Sequence, residues 1–491
     1  MVAEPVAVPP AFNRRRKLGL KVKLAFASGS LETAMLNAAG IATLVFYNQV
    51  HGVSAALCGL AFFISSAIDA VADPLVGAWS DNVQTRWGRR HPFMFASAFL
   101  LPAFFFALYQ PPSLSEYGLF LWMTVFLTSV GLCKALYLVP HSALGAELSD
   151  DYHERTSIFG WNYIVGAIGG VALSAFVLLV LFPSTPQYEH GLLNAPRYFW
   201  LAAGGAVFCF LVVMGCTLFT ADQIPYLHQR EALGAAVRRR YLQVGHTTWV
   251  NLKALATNPS YIAICACWLI LAISGGILAV VSTYTFLYAL GLTTEQLSIR
   301  SFITLPGAFL AVPLSAWLVR LLDKKYTVIS TIAVTTTMLS LPFALRLLGW
   351  LPPNGTTELL VVFFAFWVLG YLTLPIVPIV IESQLVDIAD EHELRTGNRA
   401  EGQIFSIRTF AIKLTNGLGG LLGGIGLEII GFPRHAHATA LSHNTINGLL
   451  WLNGPVYWLI VAAGIGFAFL YRIDRKRHDE ILAALEARRG A

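Results

Sequence analysis

Charged side chains are scarce in this chain. Asp, Glu, Lys and Arg make up 12% of its 491 residues, about half the roughly 25% of an ordinary soluble protein. With 56% hydrophobic residues, that deficit excludes a water-soluble globular protein and points to a polytopic membrane protein. Cysteine is also sparse. Cys58, Cys133, Cys209, Cys216, Cys265 and Cys267 all fall in apolar runs, which predicts packing residues and no disulfide. Catalytic signatures are missing as well: the sequence has no Ser/His/Asp arrangement, no His-Glu-x-x-His and no phosphate-cradling glycine loop. No small-residue cleavage site follows the first basic cluster, so no removable signal peptide is expected.

What is present is a series of apolar runs of membrane-spanning length. Six lie near 24–47, 53–79, 92–109, 118–140, 158–182 and 198–220, and six more near 260–290, 298–322, 326–348, 358–382, 403–430 and 448–471. A polar, basic stretch, 221–259, separates the two sets, and tails flank them at 1–23 and 472–491. The formal net charge of +6 is clustered, as membrane orientation requires, and no nucleic-acid partner is expected. Basic residues collect in alternate loops: Arg86, Arg89 and Arg90; Arg155; Arg230, Arg238, Arg239, Arg240 and Lys253; Lys324 and Lys325; Arg395 and Arg399. By the positive-inside rule those loops and both termini are cytoplasmic, in a plasma (inner) membrane. Asp81 with Arg89 and Arg90 after the second run, and Asp323 with Lys324 and Lys325 after the eighth, are a weak internal repeat. The composition therefore predicts an all-α membrane protein of twelve transmembrane helices in two six-helix bundles, the major facilitator arrangement.

The second run carries the most unusual chemistry, Ser-Ser-Ala-Ile-Asp-Ala-Val-Ala-Asp-Pro from Ser65 to Pro74. Asp69 and Asp73 share a helix face. Each costs about 2.5–3.5 kcal/mol at a bilayer centre on insertion scales, so such residues are usually functional. Two like charges one turn apart repel, so one binds a proton or both share a cation. Pro74 has no N–H, which frees the Ala70 carbonyl as a further oxygen ligand. No other metal site is expected. His435, His437 and His443 cluster in a loop, with spacing too loose to favour a metal over solvent.

Three stretches go further. DAVADPLVGAWSDNVQTRWGRRHPF (Asp69–Phe93), VPHSALGAEL (Val139–Leu148) and VDIADEHELRTGNRAEGQIFSIRTFAIKL (Val386–Leu414) closely resemble the glycoside–pentoside–hexuronide:cation symporter family. The piece RWGRRHPF also resembles the matching loop of plant sucrose–proton symporters. The resemblance implies cation-coupled symport of a sugar or glycoside by alternating access, with a proton or sodium and no other cofactor. It maps the family's second-helix acidic pair onto Asp69 and Asp73 and its eleventh-helix lysine onto Lys413. The residues agree on Lys413, which shares a stripe with Thr409 and Asn416 and so must face a cavity or a carboxylate.

The chain also departs from the family pattern. The sugar-contacting first-helix carboxylate falls at Ala34, with Glu32 on another face. The fourth-helix carboxylate of the cation site falls near Leu138, the tryptophan one turn on near Ser142, and the fifth-helix arginine near Asn162 or Tyr163. Lys134, one turn before Leu138, either pairs with Asp69 or Asp73 or faces the substrate cavity. Candidates for that cavity are Thr33, Asn37, His141, Trp161, Asn162, Ser274, Tyr284, Trp367, Thr409, Lys413 and Asn416, a mixture of aromatic, amide and hydroxyl groups suited to sugars. Arg89 and Arg90 are expected to form a cytoplasmic gate, with Asp81, Glu147, Asp150 and Asp387 as candidate partners. Proton coupling is expected through Asp73, with Asp69 kept charged by a lysine. A lysolipid or other amphiphile carrier of the same fold, a membrane sugar sensor and a membrane-embedded enzyme are the alternatives. The partners expected are a small sugar and the bilayer, with the chain acting as a monomer.

Overall fold

The computed structural model describes residues 17–83, 85–149, 151–188, 190–227, 253–397, 401–435 and 441–490. Much of the central basic stretch, together with Asp150, Arg399 and His437, lies outside the described residues. Among those described, the regular structure is helical, with two isolated bridges in tight turns.

The helices are α1 (Leu20–Val50), α2 (Ala55–Asn82), α3 (His91–Leu108), α4 (Glu116–Glu147), α5 (His153–Leu181), α6 (Arg197–Phe219) and α7 (Pro259–Ala289). A 54-residue run, Thr294–Leu347, follows. A straight helix of that length would measure about 81 Å, far more than a bilayer core of about 30 Å. It breaks at Asp323, where φ is 67°, into α8 (294–322) and α9 (324–347). The break is held by its own polar groups: Asp323 Oδ1 accepts from Lys324 N–H (2.6 Å), Oδ2 from Arg475 N–H (3.1 Å), and the carbonyl from Thr327 Oγ1 (2.7 Å). Then come α10 (Thr357–Thr396), α11 (Glu401–Ile429), α12 (His443–Ala468) and α13 (Arg475–Gly490). Among the described residues, eleven runs are long and apolar enough to cross a membrane; with Thr294–Leu347 counted as two, they make twelve spans.

Local chemistry sets the helix starts. Ser54, Ser115, Asp151, Asn258, Thr293, Thr356 and Ser442 each accept a hydrogen bond from a first-turn N–H, satisfying donors that have no helical partner. Proline interrupts α10: its segments are Thr357–Thr373 and Ile376–Thr396, with Pro375 between them. This helix runs well past residue 382, where the apolar run ends. The C-terminal stretch is no loose tail. In α13, Ile481 and Leu485 are buried, His478 Nε2 lies 3.2 Å from Asp390, and Arg488 donates to the Leu394 carbonyl (3.1 Å). The cysteines are all free and buried or half-buried.

The two six-helix sets meet chiefly along α2 and α11. A Cβ at Gly424 would lie 2.2 Å from the Ala55 carbonyl, and one at Gly59 would lie 2.8 Å from that of Gly420. Only glycine permits this approach.

Candidate functional site

A cavity of about 1070 Å³ lies between the two halves. It is larger than the roughly 300–1,000 Å³ typical of ligand pockets. Thr33 and Asn37 of α1, His141 of α4, Asn162 of α5 and Asn416 of α11 line it. His141 presents only an edge: it is 2% exposed, stacks on Phe26 and has Nε2 2.9 Å from the Phe26 carbonyl. Asn162 has a buried Oδ1 with no hydrogen-bond partner among the described residues.

Six expected residues do not line the cavity. Trp161 is exposed on another face of α5, about 100° around from Asn162. Ser274 is buried and donates to the Ile270 carbonyl (2.7 Å). Tyr284 is buried, with its hydroxyl on Asn48 Oδ1 (2.8 Å). Trp367 is fully buried beside Phe286 and Phe363. Thr409 donates to the Phe405 carbonyl (2.9 Å). Lys413 is held by a carboxylate. A period of 3.6 identifies a stripe but not which neighbour it meets, and that decided these positions.

Sequence reasoning missed Arg300 and Tyr371, which do line the cavity. Arg300 reads as a helix-start residue; a charge seven residues into an apolar helix was the available signal. Ala34 lines the cavity, so no carboxylate projects there. Glu32 is fully buried away from it, with Oε2 accepting from Thr33 Oγ1 (2.8 Å) and Oε1 lacking a partner among the described residues.

The ionisable cluster adjoins the cavity. Lys413 Nζ donates to Asp73 Oδ2, an ion pair that joins the two halves. Asp69 differs: its Oδ1 is buried with no hydrogen-bond partner among the described residues, and a Cβ at Gly131 would lie 2.2 Å from it. Lys134, one turn from Gly131, acts electrostatically on both Asp69 and Glu32 and is not among the cavity-lining residues. Pro74 sits inside α2 and leaves the buried Ala70 without an N–H donor to its carbonyl. Ser66 and Gly417 connect this cluster to the cavity, since both line it and a Cβ at Gly417 would lie 2.6 Å from Ser66 Cβ.

Polar contacts between the halves gather at one end. Glu295 accepts from Ser184 N–H (2.5 Å) and Ser184 Oγ (2.8 Å), and Thr294 Oγ1 from Gly191 N–H (2.9 Å). Arg434 pairs with Glu116 (2.8 Å), and the Gln49 carbonyl accepts from His435 Nδ1 (2.8 Å). His435 is therefore a contact residue, His443 begins α12, and the described residues hold no cluster of three metal-ligating side chains.

At the opposite end the expected gate residues stay within their own halves. Arg89 pairs with Glu147 (2.9 Å), and buried Arg90 with Asp81 (2.6 Å) and Glu147 (2.9 Å). Asp387 is not their partner; it takes Lys324 (2.7 Å) and lies 3.4 Å from His478. Asp387 belongs to the second half, where Lys324 holds it.

The family profile described as MFS/sugar transport protein matches residues 25–475. The chain is 24% identical to the putative glycoside/cation symporter YagG of Escherichia coli (strain K12), covering 97% of this chain and 96% of that one. It is also 24% identical to the isoprimeverose transporter of Lactiplantibacillus pentosus, covering 90% and 86%. Among solved structures, a bacterial homologue of the human lysosomal transporter Spinster, inward-facing and unoccupied, matches with a TM-score of 0.63 at 13% identity over 95% and 97% of the chains. That likeness carries the fold alone, and the fold is the major facilitator bundle of two six-helix halves. With twelve crossings, a central cavity and a profile match over nearly its whole length, the chain belongs to the MFS/sugar transport protein family.

Proposed function

We propose that the chain carries a sugar or glycoside across the membrane together with a proton, and that Asp69 is the residue that takes the proton. One observation supports this above the others: of the two carboxylates on α2, Asp73 is engaged by Lys413 while Asp69 has a buried oxygen without a hydrogen-bond partner among the described residues. A buried carboxylate in that state is stabilised by a proton or a cation. Sodium, a hard cation, prefers an all-oxygen shell. With Asp73 held by an ammonium, the local protein oxygens are few, whereas a proton needs no shell. The roles of Asp69 and Asp73 are thus the reverse of the sequence expectation, which put the proton on Asp73.

The cluster has the position that coupling requires. Asn416 lines the sugar cavity and lies three residues from Lys413, on the same side of α11. Substrate at Asn416 and a proton at Asp69 both act on the α2–α11 contact, the contact that must change when the halves rock. The positive-inside rule puts the end with Arg89 and Arg90 in the cytoplasm. On that orientation the seal at Ser184, Glu295 and Arg434 is external and the conformation is inward-facing.

The test uses reconstituted protein. Asp69→Asn mimics the protonated residue, so it is expected to retain exchange of labelled sugar and to lose accumulation driven by a pH gradient. Asp69→Asn that still accumulates sugar against its gradient overturns the assignment.

A further inference from the structure

We propose that Glu32 is the positioning residue that makes Asp69 take a proton: it claims Lys134, and so leaves the buried cluster one positive charge short. This rests on the reading of Asp69 given above and names what keeps that carboxylate ready for its proton.

Glu32 lies in α1 with a relative exposure of 0%. Its Oε2 accepts from Thr33 Oγ1 (2.8 Å), and its Oε1 is buried with no hydrogen-bond partner among the described residues. A buried carboxylate needs more than one neutral hydroxyl to stay charged. The groups that reach it come from two helices. From α4 come Lys134 and Tyr137, and from α6 comes Cys209. Helix α5 meets the same stretch of α1 through Gly166 and Gly169, against Ser30 and Leu31, and brings no charge there. The cation that acts on Glu32 is therefore Lys134.

The same lysine acts on Asp69. Along α4, Gly131 lies against Asp69, Lys134 follows three residues later, and Tyr137, on the Glu32 side, three residues later again. Each step is about 4.5 Å along the axis, so one stripe of α4 carries the lysine between its two carboxylates. Asp69 also feels Lys413 and Asp73, but those two are paired with each other. Three carboxylates thus share two lysines. One carboxylate is left without a counter-charge, and a single proton supplies it. The Thr33 hydroxyl favours the charged form of Glu32, whereas Asp69 Oδ1 has no such donor among the described residues. The proton accordingly goes to Asp69. Without the charge of Glu32, two carboxylates would face two lysines, and Asp69 would have no need of a proton.

The experiment measures pH-gradient-driven accumulation of labelled sugar in proteoliposomes against external pH. Glu32→Gln balances the cluster and holds Asp69 charged. Its midpoint is expected to move about one pH unit to the acid side, the effect of an opposite charge close to a carboxylate. Glu32→Asp keeps the charge and should keep the wild-type midpoint. Lys134→Met added to Glu32→Gln leaves two carboxylates with one lysine, again one charge short, and should bring the midpoint back. A merely structural role would lower uptake at every pH and move no midpoint. A Glu32→Gln variant with the wild-type midpoint, or a shift that Lys134→Met does not reverse, overturns the role of Glu32 and leaves that of Asp69 standing. Wild-type accumulation that ignores the pH gradient overturns both.

Discussion

Asp69 and Asp73 lie one turn apart on α2, yet different neighbours give them different work. Asp73 meets Lys413 from the other half; Asp69 presses against Gly131 of α4. Gly131→Ala puts a methyl where Asp69 Oδ1 now sits, so the carboxylate must turn away. That variant should bind sugar but lose pH-driven accumulation, as measured by binding and uptake on the same preparation. Lys134 answers for two carboxylates, Glu32 and Asp69. Lys134 is half-buried and forms no ion pair with either carboxylate among the described residues, so it acts on them by charge at longer range. Lys134→Met should therefore lower the melting temperature in detergent, and adding Glu32→Gln should recover part of the loss. No recovery would mean that Lys134 serves Asp69 alone or lies in water. Asp69, Asp73 and Lys413 were legible in the sequence because a charge inside an apolar run is conspicuous. Which carboxylate takes the lysine was not, since that depends on how α11 approaches α2 across the interface. Arg300 stands out equally in an apolar run, but its place near a helix start suggested the membrane edge instead.

The helices that form the seal repeat a device. In α1 and α7 the last turn widens to a π-turn, Phe46–Val50 and Thr285–Ala289. Each is followed by a glycine at positive φ, Gly52 (75°) and Gly291 (63°), an apolar residue, and the cap of the next helix, Ser54 or Thr293. Such turns recur at functional positions. Here they bring Tyr284 to Asn48 across the halves. The pattern Gly-apolar-Ser/Thr after the first and seventh runs was readable as a repeat, and it is a sharper one than the basic loops. The aromatic residues were harder to read, because Tyr284 and Trp367 carry polar atoms suited to a sugar, yet Tyr284 gives its hydroxyl to Asn48 in the seal and Trp367 is buried with its ring face toward Arg300. Glycine spacing makes a separable prediction at this scale. Gly424 meets Ala55 across the halves, whereas Gly276 meets Asn416 and Gly419 within one half. Gly424→Leu should leave a folded protein biased toward opening at the Ser184 end, read as faster labelling of a cysteine placed at Asn37. Gly276→Leu should instead reduce folded protein.

At the level of the whole molecule the halves mirror each other in their ion pairs. Basic residues after the second helix clamp the end of the fourth (Arg89 and Arg90 on Glu147), and Lys324 after the eighth clamps the tenth (Asp387). Each clamp stabilises its own bundle, so the two can move as units. Neutralising Arg89 and Arg90 together strands Glu147 within the first half and should lower thermal stability as well as transport; unchanged stability would return these arginines to a gating role between halves. Twelve crossings and the two-fold plan were legible because apolar run length and loop charge follow from the bilayer itself. The break at Asp323 was legible too, as the gap between the eighth and ninth runs; the docking of α13 was not, since it rests on long-range polar contacts. Orientation is checked by labelling cysteines at Gln187 and Lys253 in intact cells, where only Gln187→Cys should react with an impermeant reagent.

We propose that sugar moves with a proton taken by Asp69. Its most direct test is the internal pH of sodium-free proteoliposomes when sugar is added outside. Acidification of the lumen is expected with the wild type, none with Asp69→Asn, and continued exchange of labelled sugar with that variant. Uptake that requires sodium and moves no protons would contradict it and make the two aspartates a metal site.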